Sequence, residues 1–303
     1  MKPQSALVIC PGRGTYNRQE LGYLAKNHQK QQLMLSEFDT RREALGQPSL
    51  TELDSAATYS TSRLTRGDNA SSLIYACAYA DFLSINREKF DLVGVAGNSM
   101  GWYIALACAG ALDTHRGFEV VNTMGTLMQD ALIVGQLLYP YVDDNCVEIP
   151  DTLDELMALT HRIPDLYLSI HLGGMIVFAG TEKALKTCEQ ALEPIKDRFP
   201  MRLHNHAAFH SPLQQPISAI AKKQLPPHLF RQPTLPLIDG RGHIWQPQAS
   251  NQADLWDYTL EQQVVTPFDF LASVRSSLRE FAPDNIIVLG PGQTLGGAIA
   301  QCL

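Results

Sequence analysis

The sequence contains a pentapeptide, G-N-S-M-G at 97–101, whose glycine spacing is typical of a nucleophilic serine. In such a G-x-S-x-G turn the glycines leave room for a serine that has a strained backbone and an exposed hydroxyl. The pattern alone occurs by chance in roughly one protein in ten, so a tight turn without chemistry is the alternative. Apolar runs at 91–97 and 102–112 flank the pentapeptide and predict a strand before it and a helix after it. This context favours Ser99 as a nucleophile near the positive end of a helix.

Composition excludes several classes of function. The 303 residues carry a formal net charge of −7, which argues against nucleic acid as the main partner, because phosphate binding needs a basic surface. No run of about eighteen apolar residues occurs, so we expect no segment that spans a membrane. Pro11 and Gly12 end the short apolar stretch near the N-terminus, which predicts a buried first strand rather than a signal peptide.

The cysteines do not form a metal-binding pattern. The six of them are widely scattered, with no C-x-x-C pair and no histidine at metal-ligand spacing. Most lie in apolar segments, where a free cysteine behaves as a small hydrophobic side chain. We therefore expect a reduced, cytoplasmic protein without disulfides and without a metal site.

Apolar runs and helical spacing alternate along the first part of the chain. Residues 5–10 and 91–97 predict buried strands, and residues 69–85 predict a helix with Asn69 as its N-cap. A further core strand is expected near the C-terminus, at 285–289. This order predicts an α/β protein whose main sheet is largely parallel.

The middle of the chain has a different pattern. A βαββαβ series is expected there, with strands at 132–139, 166–171, 175–180 and 201–205 and helices at 151–160 and 181–194. This series is typical of a ferredoxin-like unit. We therefore predict a main catalytic domain at 1–129 and 205–303 with an inserted ferredoxin-like subdomain at 130–204. A cleft between the two is a favoured place for a ligand.

Five short segments indicate a family when they are taken in order. They are C-P-G-R-G-T at 10–15, G-N-S-M-G-W at 97–102, A-F-H-S-P-L at 208–213, Q-V-V-T-P at 263–267 and L-G-P-G-Q at 289–293. They resemble the F-P-G-Q-G-S, G-H-S-x-G-E, A-F-H-S-P-L-M, Q-x-x-x-P and L-G-P-G-x motifs of malonyl-CoA:acyl carrier protein transacylases. The acyltransferase domains of fatty acid and polyketide synthases share these motifs. The resemblance covers nearly the whole chain and implies an α/β-hydrolase-like main domain.

The resemblance assigns a catalytic role to five residues. It implies that Ser99 is the nucleophile and that His210 is the base that removes its proton. It implies that the main-chain carbonyl of Gln263 orients the histidine, in place of a carboxylate. It also implies that the backbone N–H groups of Arg13 and Met100 form the oxyanion hole.

The sequence departs from the family pattern around the expected acyl pocket. Met124 occupies the place of the arginine that pairs with a malonyl carboxylate in M-R-G-x-x-M-Q. Asn98 replaces the histidine before the nucleophile, and Trp102 replaces an acidic residue. His171 replaces an asparagine that precedes the family's P-G-Q segment. These four residues are the expected acyl-pocket residues, and Met124 favours an acyl group without a carboxylate.

The expected function is acyl transfer between CoA and the phosphopantetheine thiol of an acyl carrier protein, in fatty acid or polyketide biosynthesis. Acyl-CoA and the carrier protein are the expected partners, and no permanently bound cofactor is expected. A thioester hydrolase of the same fold is an alternative, because it uses the same acyl-serine. A non-catalytic homologue that binds a carrier protein is a second alternative. An unrelated α/β-hydrolase is disfavoured, because His228 and His243, the only later histidines, lie in polar stretches.

Overall fold

Two five-stranded sheets organise the described residues, 2–130 and 135–303, of this computed structural model. Their strands, β1 to β10 in chain order, are Gln4–Cys10, Phe90–Gly97, Gly135–Pro140, Leu166–Leu172, Met175–Gly180, Met201–Leu203, Leu237–Ile238, Ile244–Trp245, Phe268–Asp269 and Asn285–Val288. The α-helices of the same residues, α1 to α14, are Tyr23–Asn27, Gln32–Ala44, Leu50–Asp54, Thr61–Leu64, Gly67–Ser84, Gly101–Cys108, Thr114–Asp130, Thr152–Arg162, Glu182–Ala191, Gln215–Gln224, Gln252–Asp257, Gln263–Val265, Phe270–Phe281 and Thr294–Ala300. Among them, no helix combines the length and the apolar character that crossing a membrane requires.

The first sheet has the strand order β10-β1-β2-β7-β8. Its first four strands are parallel to their neighbours, and only β8 is antiparallel. Residues 6–10 of β1 are fully buried, as expected for a strand that is covered on both faces. The predicted α/β fold with a largely parallel main sheet is confirmed.

The second sheet has the strand order β6-β3-β5-β4-β9. Strands β3 to β6 are antiparallel and, with α8 and α9, follow the βαββαβ order expected from the sequence. Residues 132–134 of the predicted first strand lie outside the described residues. Strand β9 comes from beyond residue 204 and pairs in parallel with β4. The division into domains at 129 and 204 stays a prediction.

The two faces of the second sheet belong to different cores. Leu137 of β3 and Phe178 of β5 pack with α8 and α9 in a small separate core. Leu138 and Val177, which neighbour them in these two strands, belong to the large core of the main sheet. Because side chains alternate across a strand, the second sheet presents one apolar face toward the main sheet.

Helix α5 begins two residues earlier than the sequence predicts, and Asn69 is not its N-cap. The side chain of Asn69 instead accepts a 2.6 Å hydrogen bond from the fully buried guanidinium of Arg42. Arg42 also donates to the side chain of Asn122 and to the carbonyl oxygens of Pro48 and Asp68. A buried charge needs such partners, so this cluster joins α2, α5 and α7.

Candidate active site

Ser99 lies at the sharp turn between β2 and α6. Its φ of 54° falls in the left-handed region, which is costly for a residue with a side chain. The glycines on both sides allow the turn to form. A Cβ on Gly97 would overlap the carbonyl of Gly101, and one on Gly101 would overlap the carbonyl of Cys10 in β1. The sequence thus places the hydroxyl at the carboxyl end of the parallel sheet, where α/β proteins hold their ligands.

A hydrogen-bonded chain connects Ser99 to His210 and Gln263. The Oγ of Ser99 lies 2.7 Å from Nε2 of His210, and Nδ1 of His210 lies 2.6 Å from the carbonyl oxygen of Gln263. A carbonyl oxygen only accepts hydrogen bonds, so Nδ1 carries the proton of the neutral ring. Nε2 is therefore free to accept the hydroxyl hydrogen of Ser99, which is the arrangement a general base requires.

Burial keeps the histidine neutral. Desolvation lowers the pKa of His210 to about 4, against a smaller opposite effect of its hydrogen bond to the Gln263 carbonyl. The side chain is 4% exposed. At neutral pH the ring is unprotonated, as a base must be.

The side chain of Gln263 supports the same site. Its Nε2 donates a 3.2 Å hydrogen bond to the carbonyl oxygen of Ser99. Its Oε1 accepts a 2.9 Å hydrogen bond from the hydroxyl of the buried Tyr103. Tyr103 was not among the residues expected from the sequence, although a residue four positions after Ser99 on a helix lies one turn away.

A second hydrogen-bonded chain of polar side chains, which was not expected from the sequence, reaches the backbone beside His210. Nδ1 of His206 lies 2.8 Å from Oε1 of Gln136, and Nε2 of Gln136 donates at 2.7 Å to Oγ of Ser169. Ser169 in turn donates at 2.8 Å to the carbonyl oxygen of Phe209. Gln136 and Ser169 are almost fully buried. The sequence signal for this chain was the presence of a polar residue, Gln136 or Ser169, within each of two largely apolar strands.

The backbone N–H groups of Arg13 and Met100 are candidate oxyanion donors. Both residues line the cavity that contains Ser99. Within the described residues neither N–H group donates a hydrogen bond. Backbone N–H groups without a protein partner at the wall of such a cavity suit a developing oxyanion.

The side chain of Arg13 is held by the protein. Its Nη2 donates to the carbonyl oxygens of Thr65, at 2.7 Å, and Asn205, at 3.0 Å. The guanidinium also lies 5.4 Å from the centre of the Phe209 ring. Desolvation lowers the pKa of Arg13 to about 10, with nearby Asp68 acting in the opposite direction, so the group stays charged at neutral pH.

A cavity of about 330 Å³ opens beside Ser99 and His210, between α7, α14 and the apolar face of the second sheet. Met124 and Asn98, two of the four expected acyl-pocket residues, line this cavity. Met124 is 2% exposed. About half of the lining residues are aliphatic or methionine, which suits an alkyl group.

Trp102 and His171, the other two expected acyl-pocket residues, do not line the cavity. The indole of Trp102 is fully buried and donates a 3.0 Å hydrogen bond to Thr259. His171 lies on β4 between Ile170 and Leu172, which do line the cavity, so alternation turns its ring to the opposite face. There Nε2 of His171 lies 2.7 Å from the hydroxyl of Tyr141. These two expected assignments are therefore corrected.

Known proteins of similar sequence include malonyl CoA-acyl carrier protein transacylases and polyketide biosynthesis proteins. No protein-family model matches the chain. A malonyl CoA-acyl carrier protein transacylase from Bacillus subtilis (strain 168) is 24% identical over 219 residues, which are 71% of this chain and 67% of that protein. The polyketide biosynthesis protein PksE from the same organism is 27% identical over 233 residues, which are 75% of this chain and 28% of that protein.

The similarity of fold extends over the whole chain. The crystal structure of an acyl-carrier-protein S-malonyltransferase from Burkholderia pseudomallei 1710b has a TM-score of 0.80 and is 22% identical in sequence. The match covers 100% of this chain and 94% of that one. The resemblance predicted from the five motifs is confirmed: the chain is similar in sequence to malonyl-CoA:acyl carrier protein transacylases, which are acyltransferase enzymes, and it shares their fold.

Proposed function

We propose that the protein transfers an acyl group between CoA and the phosphopantetheine thiol of an acyl carrier protein, through an ester on Ser99. The observation that carries this proposal is the chain from Ser99 Oγ through His210 to the Gln263 carbonyl, with distances of 2.7 and 2.6 Å. A serine hydroxyl is a poor nucleophile unless such a base takes its proton. The similarity to transacylases supports the choice of thioesters as substrates.

In the first half-reaction, Oγ of Ser99 attacks the thioester carbonyl carbon while its proton passes to Nε2 of His210. The tetrahedral intermediate then collapses, the carbon–sulfur bond breaks, and the imidazolium returns the proton to the CoA sulfur. In the second half-reaction the carrier-protein thiol gives its proton to His210 and attacks the ester. The serine alkoxide leaves and is reprotonated, so each cycle restores the free enzyme.

The N–H groups of Arg13 and Met100 are proposed to stabilise the oxyanion of both intermediates. Removing one donor of such a pair typically costs about 100- to 1,000-fold in rate. Because both donors belong to the backbone, the family's glutamine can be replaced by Arg13 without loss of the donor. The proposed role of the Arg13 side chain is to hold the loop, through its bonds to Thr65 and Asn205.

We propose further that the acyl group carries no carboxylate. Met124 supports this, because it lies buried in the cavity where a malonyl carboxylate would need a cation. Leaving a buried charge without its partner costs about 2–5 kcal/mol. Two arginines line the cavity, Arg13 and Arg198. The first is bonded to two carbonyl oxygens, and the second is exposed to solvent.

The test is whole-protein mass spectrometry after incubation with acetyl-, hexanoyl- and malonyl-CoA. We expect one added hexanoyl group on the unaltered protein and none on Ser99→Ala. Ser71→Ala is the matched control, because Ser71 lines the same cavity without contacting His210. Hexanoylation of Ser99→Ala at the yield of the unaltered protein would refute the proposal.

The acceptor decides between transferase and hydrolase. In a transferase the ester on Ser99 is hydrolysed slowly by water, and the acyl group passes to a phosphopantetheine thiol. We therefore expect the mass of the acyl-enzyme to persist in buffer and to disappear when a phosphopantetheinylated carrier protein is added. Equal decay with and without the carrier protein would show that water is the acceptor.

A further inference from the structure

The cavity beside Ser99 concentrates the methionines of the chain. Of the seven methionines in the described residues, five line it: Met100, Met124, Met128, Met175 and Met201. Met100 and Met124 are buried, and the other three are partly exposed to the cavity. This concentration of methionines in one cavity is a feature of the site and does not follow from the overall composition of the chain.

Four of these side chains come from a helix and from the second sheet, which both contribute walls to the cavity. Met124 and Met128 are four residues apart on α7, so they lie one above the other on the same face of the helix. Met175 lies on β5 and Met201 on β6, in the sheet that faces the helix. Val177 and Leu203, two residues further along these strands, also line the cavity, which confirms the direction of both strands' side chains.

Methionine gives a wall that can change shape. The side chain is unbranched, has three rotatable bonds and ends in a polarisable thioether, so it fills irregular gaps. Methionine-rich surfaces are used by proteins that bind ligands of varied shape. Valine or isoleucine walls, by contrast, have stiff side chains that fix the outline of a pocket.

The volume limits what the walls enclose. The cavity measures about 330 Å³, near the lower end of the range of about 300–1,000 Å³ that small-molecule sites cover. We expect such a space to take an acyl chain of up to about eight carbons. The polar side chains Gln136 and His206 at its wall are bonded to each other.

We infer that this site accepts unbranched saturated acyl groups over a range of lengths, up to about eight carbons, rather than one acyl group. This inference rests on the proposed acyl transfer through Ser99. A rigid pocket distinguishes acyl groups that differ by one methylene by about 10- to 200-fold. The methionine walls are expected to reduce that ratio below tenfold between butyryl and octanoyl.

The experiment measures kcat/KM for loading of Ser99 with acetyl-, butyryl-, hexanoyl-, octanoyl- and dodecanoyl-CoA. We expect values within tenfold of one another from four to eight carbons, and a fall of at least tenfold at twelve. A preference of more than a hundredfold for one length would overturn the inference while leaving acyl transfer intact. No loading by any of these acyl groups or by malonyl-CoA would overturn the proposed function itself.

Stiffened walls provide a second measurement. Met175→Ile and Met201→Ile place a β-branched residue in a strand, where it is well tolerated. In the double variant we expect the ratio between the best and worst substrates from four to eight carbons to rise at least tenfold. Met157→Ile is the control, because Met157 lies on α8 and does not line the cavity. An unchanged length profile in a folded double variant would contradict the role of the methionines.

Discussion

Ser99 and His210 share an unusual backbone conformation, with φ of 54° in both residues. Each such conformation costs about 1–3 kcal/mol and persists only where surrounding contacts impose it. For Ser99 those contacts are the close packing of Gly97 against the backbone of Gly101 and of Gly101 against the backbone of Cys10. For His210 the neighbouring carbonyl of Phe209 is held by Ser169. The contacts that impose this strained backbone therefore also fix the positions of the Ser99 and His210 side chains.

The lowered pKa of His210 predicts how the rate of loading of Ser99 depends on pH. The base form exists above the pKa, which burial lowers to about 4, and is lost as the pH falls through that value. We therefore expect kcat/KM for loading of Ser99 to be constant from about pH 8 to pH 5.5 and to fall only below that range. An unshifted histidine, with a pKa of about 6.5, would halve the rate near pH 6.5. Stopped-flow measurement of CoA release across pH 4.5–8 distinguishes the two curves.

Tyr103 is predicted to act through Gln263. Tyr103→Phe removes the hydroxyl that donates to Oε1 of Gln263 and leaves that buried oxygen without its partner. Such a loss costs about 1–3 kcal/mol, so we expect a fall of several-fold to about a hundredfold in kcat/KM. KM should change little, because the hydroxyl positions the base and binds no substrate in this account. Tyr139→Phe is the control for removing a tyrosine hydroxyl elsewhere, and a loss of activity equal to that of Tyr103→Phe would contradict the assignment.

At the scale of elements, the second sheet connects to His210 through buried polar groups. Gln136 on β3 and Ser169 on β4 carry hydrogen bonds from His206 to the carbonyl before His210. Burial, followed by the nearby charge of Arg13, lowers the pKa of His206 well below its ordinary value, so the ring is neutral. In this network of neutral side chains the groups of His206, Gln136 and Ser169 are joined by hydrogen bonds, so no ion pair is needed to stabilise it.

Ser169→Ala tests this connection. The substitution leaves the carbonyl of Phe209 and the amide of Gln136 unpaired, at a cost of about 1–3 kcal/mol. We expect a lower melting temperature together with a lower kcat for loading, because the strained backbone at His210 loses its support. Ser169→Thr keeps the hydroxyl and should restore part of the activity. Full activity in Ser169→Ala would show that the network does not support the histidine.

Sequence patterns predicted the helices and strands better than they predicted the contacts between side chains. The position of Thr181 just before a helical pattern favours an N-cap, and its side chain does accept the hydrogen bond of the Ala184 N–H, because capping depends on neighbours in the chain. Asn69 had the same local signature, but the distant Arg42 binds its side chain. His171 matched a family segment, yet alternation along β4 turns it away from the cavity. Contacts between distant segments are not contained in local spacing.

At the scale of the whole molecule, the cavity exists only where distant parts of the chain meet. Met124 comes from α7, Ile170 and Val177 from the second sheet, and Leu295 from α14. The family motifs predicted that Ser99, His210 and Gln263 belong to one site, because these residues occur in short segments, and the three are joined by hydrogen bonds. The methionine walls were not predicted, because four separate segments contribute to them.

Met124→Arg tests the proposed acyl preference of the assembled cavity. The substitution restores a cation where the unaltered protein has a buried thioether, and a matched ion pair there is worth about 2–5 kcal/mol. We expect the ratio of kcat/KM for malonyl-CoA to that for hexanoyl-CoA to rise by at least thirtyfold. Met124→Leu is the control, which should leave the ratio unchanged. A clear malonyl preference of the unaltered protein would mean that another cation, such as Arg198, binds the carboxylate.

The central claim is that the acyl group resides on Ser99. The most direct test is peptide mapping after a single turnover with hexanoyl-CoA at neutral pH, followed by acid quenching and trypsin digestion. Cleavage after Lys89 and Arg116 isolates the peptide 90–116, which contains Ser99, Tyr103 and Cys108. We expect the hexanoyl mass on this peptide, and fragmentation should localise it to Ser99. A hexanoyl group on Cys108, or on any other peptide, would contradict the account.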